Sequence, residues 1–382
     1  MKELLKRTLI RLGVRNLSDI GRLWRRVNYT LLDLAGYVIH SPHRLLTGRW
    51  KRALPDPVRK ILMIRIDRIG DLILSTPAVR AVKETFPNAR LDLLINGYTR
   101  DLVDGIPAID RVLVDGTDHL DDDYDLALVL HPGFRKNRLA YRSGAPVTIG
   151  YTGSGGGFYL TRQQRDDRAT RVRHEVESAL EIAALAGCAS DDTKLMISTT
   201  AEGDAEAEEF FSRQGIGGTV VAIHPGARQE YIRWKKEGFA TVADTLIRED
   251  DVTVLLTGST GEQSLVEEVA GLMEEEPVIA CGLPLTTFIS LIGRCQLFLG
   301  NSTGPMHIAA ALGVPVVAVF GATHPLDSHH EWGPWGAGHL VVAPDPSEIE
   351  AHPEACTPWD CVELIDVEHV LPAVRRQLEK IR

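Results

Sequence analysis

At 382 residues, with 44% apolar and 25% charged side chains, the chain can bury substantial cores, and its length favours two domains over one. No run approaches the roughly 18 apolar residues of a membrane span, and five scattered cysteines, Cys188, Cys281, Cys295, Cys356 and Cys361, argue against a secreted disulfide framework. The formal charge of −10 is unevenly spread: 14 Lys and Arg stand against 4 Asp and Glu up to Lys60, leaving 28 against 48 beyond it, so a first segment near +10 precedes a body near −20.

The start, "MKELLKRTLIRLGVRNL", breaks its apolar residues with Lys and Arg too often for a signal-peptide core, which points to a cytoplasmic protein. "LKRTLIRL" and "LWRRVNYTLLDLAGYVI" alternate basic and apolar residues at helical spacing. Such helices lie in a headgroup layer or pack on the body of the protein. Residues 1–58 are therefore expected to form a basic amphipathic extension, with 1–55 as the segment for peripheral contact with an anionic membrane at the inner face. No nucleic-acid partner is expected.

After the linker "LPDPVRK", apolar runs alternate with helical patterns. "KILMIRI", "RLDLLI", "RVLV", "DLALVL" and "VTIG" predict strands, with helices near 77–86, 98–104, 134–142 and 173–187. A second series runs through "TVVAIHP", "VTVLLTG", "PVIAC", "LFLG" and "VPVVAVFG". Continuous Val, Ile and Leu runs imply strands covered on both faces, hence parallel sheets. The expectation is two doubly wound α/β domains, 59–205 and 206–365, meeting near 200–218, with a final helix over 366–382 returning toward the first domain.

The stretch "MIRIDRIGDLILSTPAVRAV", 63–82, places Arg65, Asp67, Arg68, Gly70 and Asp71 where a strand hands over to a helix. Thr76 and Pro77 mark the start of that helix. In open α/β sheets ligands bind at such an edge. "LVLHPGFR" and "VAIHPGAR" echo each other, placing His131 and His224 on similar turns, either as turn hydrogen-bonders or as cleft residues. In "LFLGNSTGPMHIAAALG" a strand ends at Gly300, Asn301, Ser302, Thr303 and Gly304 form a small polar loop, and a helix opens at Pro305. Unsatisfied amides, hydroxyls and a helix dipole converge there, which suits a diphosphate; a capped helix without a ligand is the plain alternative.

"ILMIRIDRIGDLILSTPAVRAVKETFP", "AIHPGA…RW", "LLTGSTGE" and "GNSTGPMHIAAALGVPVVAVFG" occur in the order and spacing of glycosyltransferase family 9, which this chain resembles over about residues 60–380. The group includes the ADP-heptose:lipopolysaccharide heptosyltransferases. The resemblance implies a GT-B architecture of two Rossmann-like domains facing a cleft, an acceptor on the first, a nucleotide-sugar on the second, and no cofactor or metal beyond that cosubstrate, an ADP-sugar. It implies that Asp71 deprotonates the acceptor hydroxyl for an inverting displacement. Donor-binding candidates are Gly226, Ala227, Arg228, Arg233, Gly258, Glu262, Asn301, Ser302, Thr303, Gly304, Pro305, Met306 and His307. On the acceptor side stand Arg68, Gly70, His131 and, on the helix after the fourth strand, Arg135, Lys136 and Arg138, suited to an acidic glycolipid or oligosaccharide.

Two positions depart from the family pattern: Ser302 stands where many members carry Asp, and Ile232 where they carry Lys before the tryptophan. Arg228 or Arg233 is expected to supply the missing cation. A catalytically weak scaffold that binds nucleotide-sugar or glycolipid is the alternative. A nicotinamide dehydrogenase is a third reading, opposed by the absence of GxGxxG after any strand. The glycine-rich "GYTGSGGGFYL" is expected as a mobile loop over the cleft. Asp121, Asp122 and Asp123 read as a solvated connection, Cys356 and Cys361 as packing or hydrogen-bonding residues of the tail, and "HHEWGPWG" as a structured turn near the cleft.

Overall fold

The computed structural model describes residues 29, 33–39, 53–168, 170–321, 327–356 and 360–381. Most of the basic extension lies outside them. Two six-stranded sheets carry the molecule, and every strand pair in both is parallel. The first contains β1 (Lys60–Arg65), β2 (Arg90–Ile95), β3 (Arg111–Val114), β4 (Leu126–Val129), β5 (Val147–Thr152) and β6 (Arg162–Arg165), in the order β3-β2-β1-β4-β5-β6. The second contains β7 (Thr219–His224), β8 (Val252–Gly258), β9 (Val278–Cys281), β10 (Leu297–Asn301), β11 (Val316–Val319) and β12 (Leu340–Val342), in the order β12-β11-β10-β7-β8-β9. This is the GT-B arrangement of two doubly wound domains. Each sheet reverses direction of growth between its first and fourth strands, and a crevice opens beyond their carboxyl ends. The loops after β1, β4, β7 and β10 are the loops that carry the sequence motifs.

The apolar runs explain the layers. Along β1, Ile61 and Met63 face one core while Leu62 and Ile64 face another, and along β7, Val221 and Ile223 oppose Val220 and Ala222 in the same way. Each such buried aliphatic side chain contributes roughly 1.5–3 kcal/mol. Ile289 and Ile308, from helices of the second domain, join the core of the first domain, so apolar contact continues across the domain boundary.

Five expectations need correction. The glycine-rich segment after β5 is packed: Phe158 and Tyr159 meet Phe134 with centroids 6.3 and 5.8 Å apart, and Asn137 donates to the carbonyls of Tyr151 and Gly155. Gly153, Gly155 and Gly156 have φ of 101°, 81° and 78°, which lets the chain turn tightly enough to bring Phe158 inward. The terminal helix Val367–Ile381 packs on the second sheet, burying Val370, Val374 and Leu378 against its core, and does not return to the first domain. Cys356 and Cys361 are joined in a disulfide. The helix foreseen over 98–104 is a 3-10 turn, Gly97–Leu102. The acidic triplet is also less solvated than its sequence suggests: Lys60 pairs with Asp121 and Asp123, and Arg90 with Asp121, at the amino ends of β1 and β2, opposite the cleft.

Candidate active site

Between the carboxyl edges of the two sheets lies a cavity of about 1040 Å³. Asp67, Arg68, Gly70, Asp71, Tyr98 and His131 line it from the first domain; His224, Ala227, Arg228, Gly258, Glu262, Ser302, Thr303, Gly304, Pro305 and His307 line it from the second.

Asp71 sits in the short helix Ile69–Ile73, into which β1 runs after three residues. The amide of Arg68 donates to its Oδ2 at 3.2 Å, and Arg65 Nη2 approaches Oδ1 at 3.3 Å. Arg65 is wholly buried, with Nε on the Asp71 carbonyl at 3.0 Å and Nη2 on Glu175 Oε1 at 2.7 Å. Burial works against its charge, but Glu175, Asp67 and Asp71 outweigh burial and hold the guanidinium protonated. The result is a carboxylate fixed by one main-chain and one side-chain donor, facing the cleft. Removing Glu175 would leave a buried cation short of its partner.

The helix of Asp71 touches the segment after β10 directly. A Cβ on Gly70 would come 2.5 Å from His307 Cδ2, and one on Gly304 would come 3.0 Å from Ile69 Cβ. Both glycines are required by close approach rather than by a positive φ. The helix Gly304–Ala311 starts from Thr303 in extended conformation with Pro305 in its first turn, so its free amides point back at the cavity. Thr303 Oγ1 and His307 Nδ1 are buried there without a hydrogen-bond partner. Burial, with a smaller contribution from His174, pushes His307 down to about 3, so it acts as a neutral donor. Two orphaned polar atoms beside a helix start form a socket for an anionic group.

The remaining donor-side candidates divide into lining and support. Asn301 is completely buried, takes the amide of Trp234 on its Oδ1 at 2.9 Å and donates to the carbonyls of Pro225 and Gly226; it shapes the loop after β7 and does not line the cavity. Arg233 clamps the same loop through the Ala227 carbonyl at 2.9 Å, whereas Arg228 is exposed on the cavity wall. Met306 belongs to the core beneath. Glu262 lies over Gly226, where any side chain would collide with it. Its carboxylate works against burial, but the Ser259 hydroxyl and amide, at 2.7 and 2.9 Å, hold it below the usual range. His224 itself, bonded to Thr257 Oγ1 at 3.0 Å, is kept neutral by burial.

Of the three basic candidates on the helix Phe134–Arg142, only Lys136 turns inward, to Asp67 Oδ1 at 2.5 Å. Arg135 pairs with Asp115 at 2.8 Å and Arg138 is exposed; neither lines the cavity. Tyr98 was not singled out by its sequence, because "GYTRDL" carries no chemical motif. Burial and Asp71 raise its phenol, and Arg68 and Arg228 stand near enough to oppose them. Tyr231, Ile232, Phe288, Phe320, Trp332, Asp327 and Asp360 are also part of the wall. Among the described residues no group of three or more His, Cys, Asp and Glu side chains is arranged to hold a metal ion.

Residues 119–352 match the family described as "Glycosyltransferase family 9 (heptosyltransferase)". The chain belongs to glycosyltransferase family 9. It is 27% identical over 293 residues to lipopolysaccharide heptosyltransferase 3 of Escherichia coli, an alignment covering 70% of this chain and 83% of that one. Its fold is similar to that of a family 9 glycosyltransferase from Veillonella parvula, with a TM-score of 0.72 and 24% identity over 84% of this chain and 97% of the other. It is also similar to the E. coli ADP-heptose lipopolysaccharide heptosyltransferase II, with a TM-score of 0.68 and 20% identity over 84% and 99%. The family 9 chain is thus a glycosyltransferase enzyme, and the dehydrogenase reading falls.

Proposed function

We propose that the protein is an inverting, metal-independent transferase that moves a heptose from an ADP-sugar to a lipopolysaccharide-type envelope saccharide. The observation that carries this reading is Asp71 on one wall of the cleft and, packed against its helix, the socket of Thr303, His307 and the 304–311 helix start. In this reading the diphosphate rests on the socket, with Arg228 as the exposed cation and Glu262 toward the ribose. Asp71 takes the proton of the acceptor hydroxyl as its oxygen attacks the anomeric carbon from the opposite side. The sugar–phosphate bond breaks, and charge gathering on the departing diphosphate is met by fixed amides and side-chain donors. Ionisation of a metal-bound group is not needed for either step, so activity is expected to survive chelation by EDTA.

The test is transfer from ADP-heptose. Asp71→Asn should lower kcat by about 10²–10⁴ while ADP still binds in a calorimeter; equal turnover by wild type and variant would remove Asp71 from the chemistry. The scaffold reading draws on Ile232 in the cavity wall and Arg233 turned to the Ala227 carbonyl, which leave Arg228 as the candidate cation of that loop. It predicts ADP binding without turnover in wild type as well.

Contact with the inner leaflet is supported by the helical residues 33–39, which dock through Asp33 Oδ1 on the Gly157 amide at 3.0 Å and Tyr37 on Gln163. Leu34, Val38 and Ile39 remain 63%, 68% and 71% exposed. Leu34→Asp with Val38→Asp should abolish sedimentation with anionic vesicles and leave turnover of soluble substrates intact. Among the described residues no helix is long and apolar enough to cross a membrane.

A further inference from the structure

We propose that Lys136 fixes His131 as its Nε2–H tautomer, so that His131 presents a neutral N–H donor to an oxygen of the acceptor sugar in the wall that carries Asp71. The proposal rests on the acceptor reading of the first domain and assigns the two residues different tasks: His131 touches substrate, and Lys136 acts through it as a positioning residue.

The geometry is local. Lys136 is buried, and its ammonium lies 2.5 Å from Asp67 Oδ1 and 3.0 Å from His131 Nδ1. His131 Nδ1 is also 3.6 Å from that same carboxylate oxygen. An ammonium has three protons and no lone pair, so its contact with Nδ1 has one sense: Lys136 donates and Nδ1 accepts. The ring proton must then be on Nε2. Burial lowers the affinity of the ammonium for its proton, and the Asp67 carboxylate opposes that loss by charge and hydrogen bond. Asp67 and His131 line the cavity and Lys136 does not, so the lysine is screened from substrate by the two groups it bonds. Burial, together with Arg65, Lys136 and Arg168, holds the imidazole well below its ordinary value, and it stays neutral. The Pro132 carbonyl opposes that shift by favouring a ring proton.

The consequence is a donor of fixed position and unchanging charge. Asp71 accepts a proton from the attacking hydroxyl, and His131 Nε2–H orients a neighbouring oxygen of the same sugar without adding a positive charge to that wall. A lost neutral hydrogen bond of this kind corresponds to roughly a tenfold loss of affinity.

The experiment uses the full chain labelled with ¹⁵N-histidine. Two-bond ¹H–¹⁵N spectra at pH 7.5, with the His131 signals assigned by their disappearance in His131→Gln, should show an unprotonated Nδ1 and a protonated Nε2. In Lys136→Met the pattern should shift toward a tautomer mixture, with the fold confirmed by unaltered ADP binding; Lys136→Gln, which keeps an N–H donor, should hold the wild-type pattern. His131→Phe should raise the acceptor KM about tenfold, leave the donor KM unchanged, and be largely rescued by His131→Gln. An Nδ1–H or doubly protonated ring in wild type overturns the tautomer assignment. An unchanged acceptor KM in His131→Phe overturns the donor role. Wild-type protein that transfers no sugar overturns the function reading and with it the donor role, while the spectrum still decides the tautomer.

Discussion

A methyl group on Gly70 would press on the His307 ring at 2.5 Å, and His307 is itself buried in the second domain. Neither ring nor helix can yield without moving Asp71, which is the next residue. Gly70→Ala is therefore expected to cost about 1–3 kcal/mol of stability and to lower kcat more than it raises either KM, since the displaced group is the proposed base. Thermal unfolding and steady-state kinetics on one preparation check both parts. The pair "Gly-Asp" was visible in the sequence, but its glycine read as an acceptor-side residue at the hand-over from strand to helix. Its actual reason, an imidazole from a residue 237 positions later, is a property of the folded pair alone.

Among elements, the loop after β7 depends on a residue of β10. Asn301 offers its carbonyl oxygen to Trp234 and its amide to two carbonyls, all in buried surroundings, and so bends the 225–234 segment around the cavity. Asn301→Ala leaves those groups unpaired, at about 1–3 kcal/mol for each that water cannot reach. ADP affinity should fall with stability, although Asn301 does not line the cavity; calorimetry showing full affinity in a destabilised variant would contradict this. The strand, the small polar loop and the proline-started helix of 297–311 were legible because each has a local signature. Asn301 looked like part of the phosphate loop because spacing cannot tell a side chain that faces the ligand from one that faces the neighbouring strand. The helix Phe134–Arg142 gives the same lesson: its consecutive Arg135 and Lys136 part company, one to Asp115 outside and one to Asp67 inside, according to which face packs on the sheet.

Across the whole molecule, buried titratable groups shape stability against pH. His131, His174, His224, His307, His329 and His339 all lie below the ordinary 6.5, chiefly because burial disfavours their charge. The unfolded chain takes up those protons first, so each contributes stability that is complete above about 6.5 and is lost on acidification. Glu331, pushed up by burial to about 8, and Asp360, to about 7, act in the opposite sense. The native state keeps protons there that the unfolded chain has released, so stability falls as pH rises toward their folded values. Each proton changes the slope by ~1.4 kcal/mol per pH unit. Six imidazoles exceed two carboxyls below 6.5, and only the carboxyls remain above it, so the unfolding temperature should peak near pH 6.5 and decline by pH 8. A steady rise from pH 5 to 9 would refute this balance. Glu331→Gln should flatten the alkaline decline, since its amide cannot release a proton.

Glu331 also marks what long range decides. Its Oε1 stands 3.8 Å from Arg168 Nη1, which bonds Glu175 at 3.1 Å, which in turn holds the Arg65 that approaches Asp71. No motif announces this chain of buried polar groups, because Arg168 lies 163 positions from Glu331 and 7 from Glu175, which in turn lies 110 from Arg65. The sequence alone determined the two parallel sheets, through runs apolar on both faces, and the placing of Asp71 and the 301–307 loop at strand ends, through caps, glycines and prolines that act within a few residues. Tertiary structure decided which helix face looks into the cleft, which polar atoms were left buried without partners, and where the last helix docked. Those outcomes follow from packing between segments distant in the chain, and local chemistry is compatible with several of them.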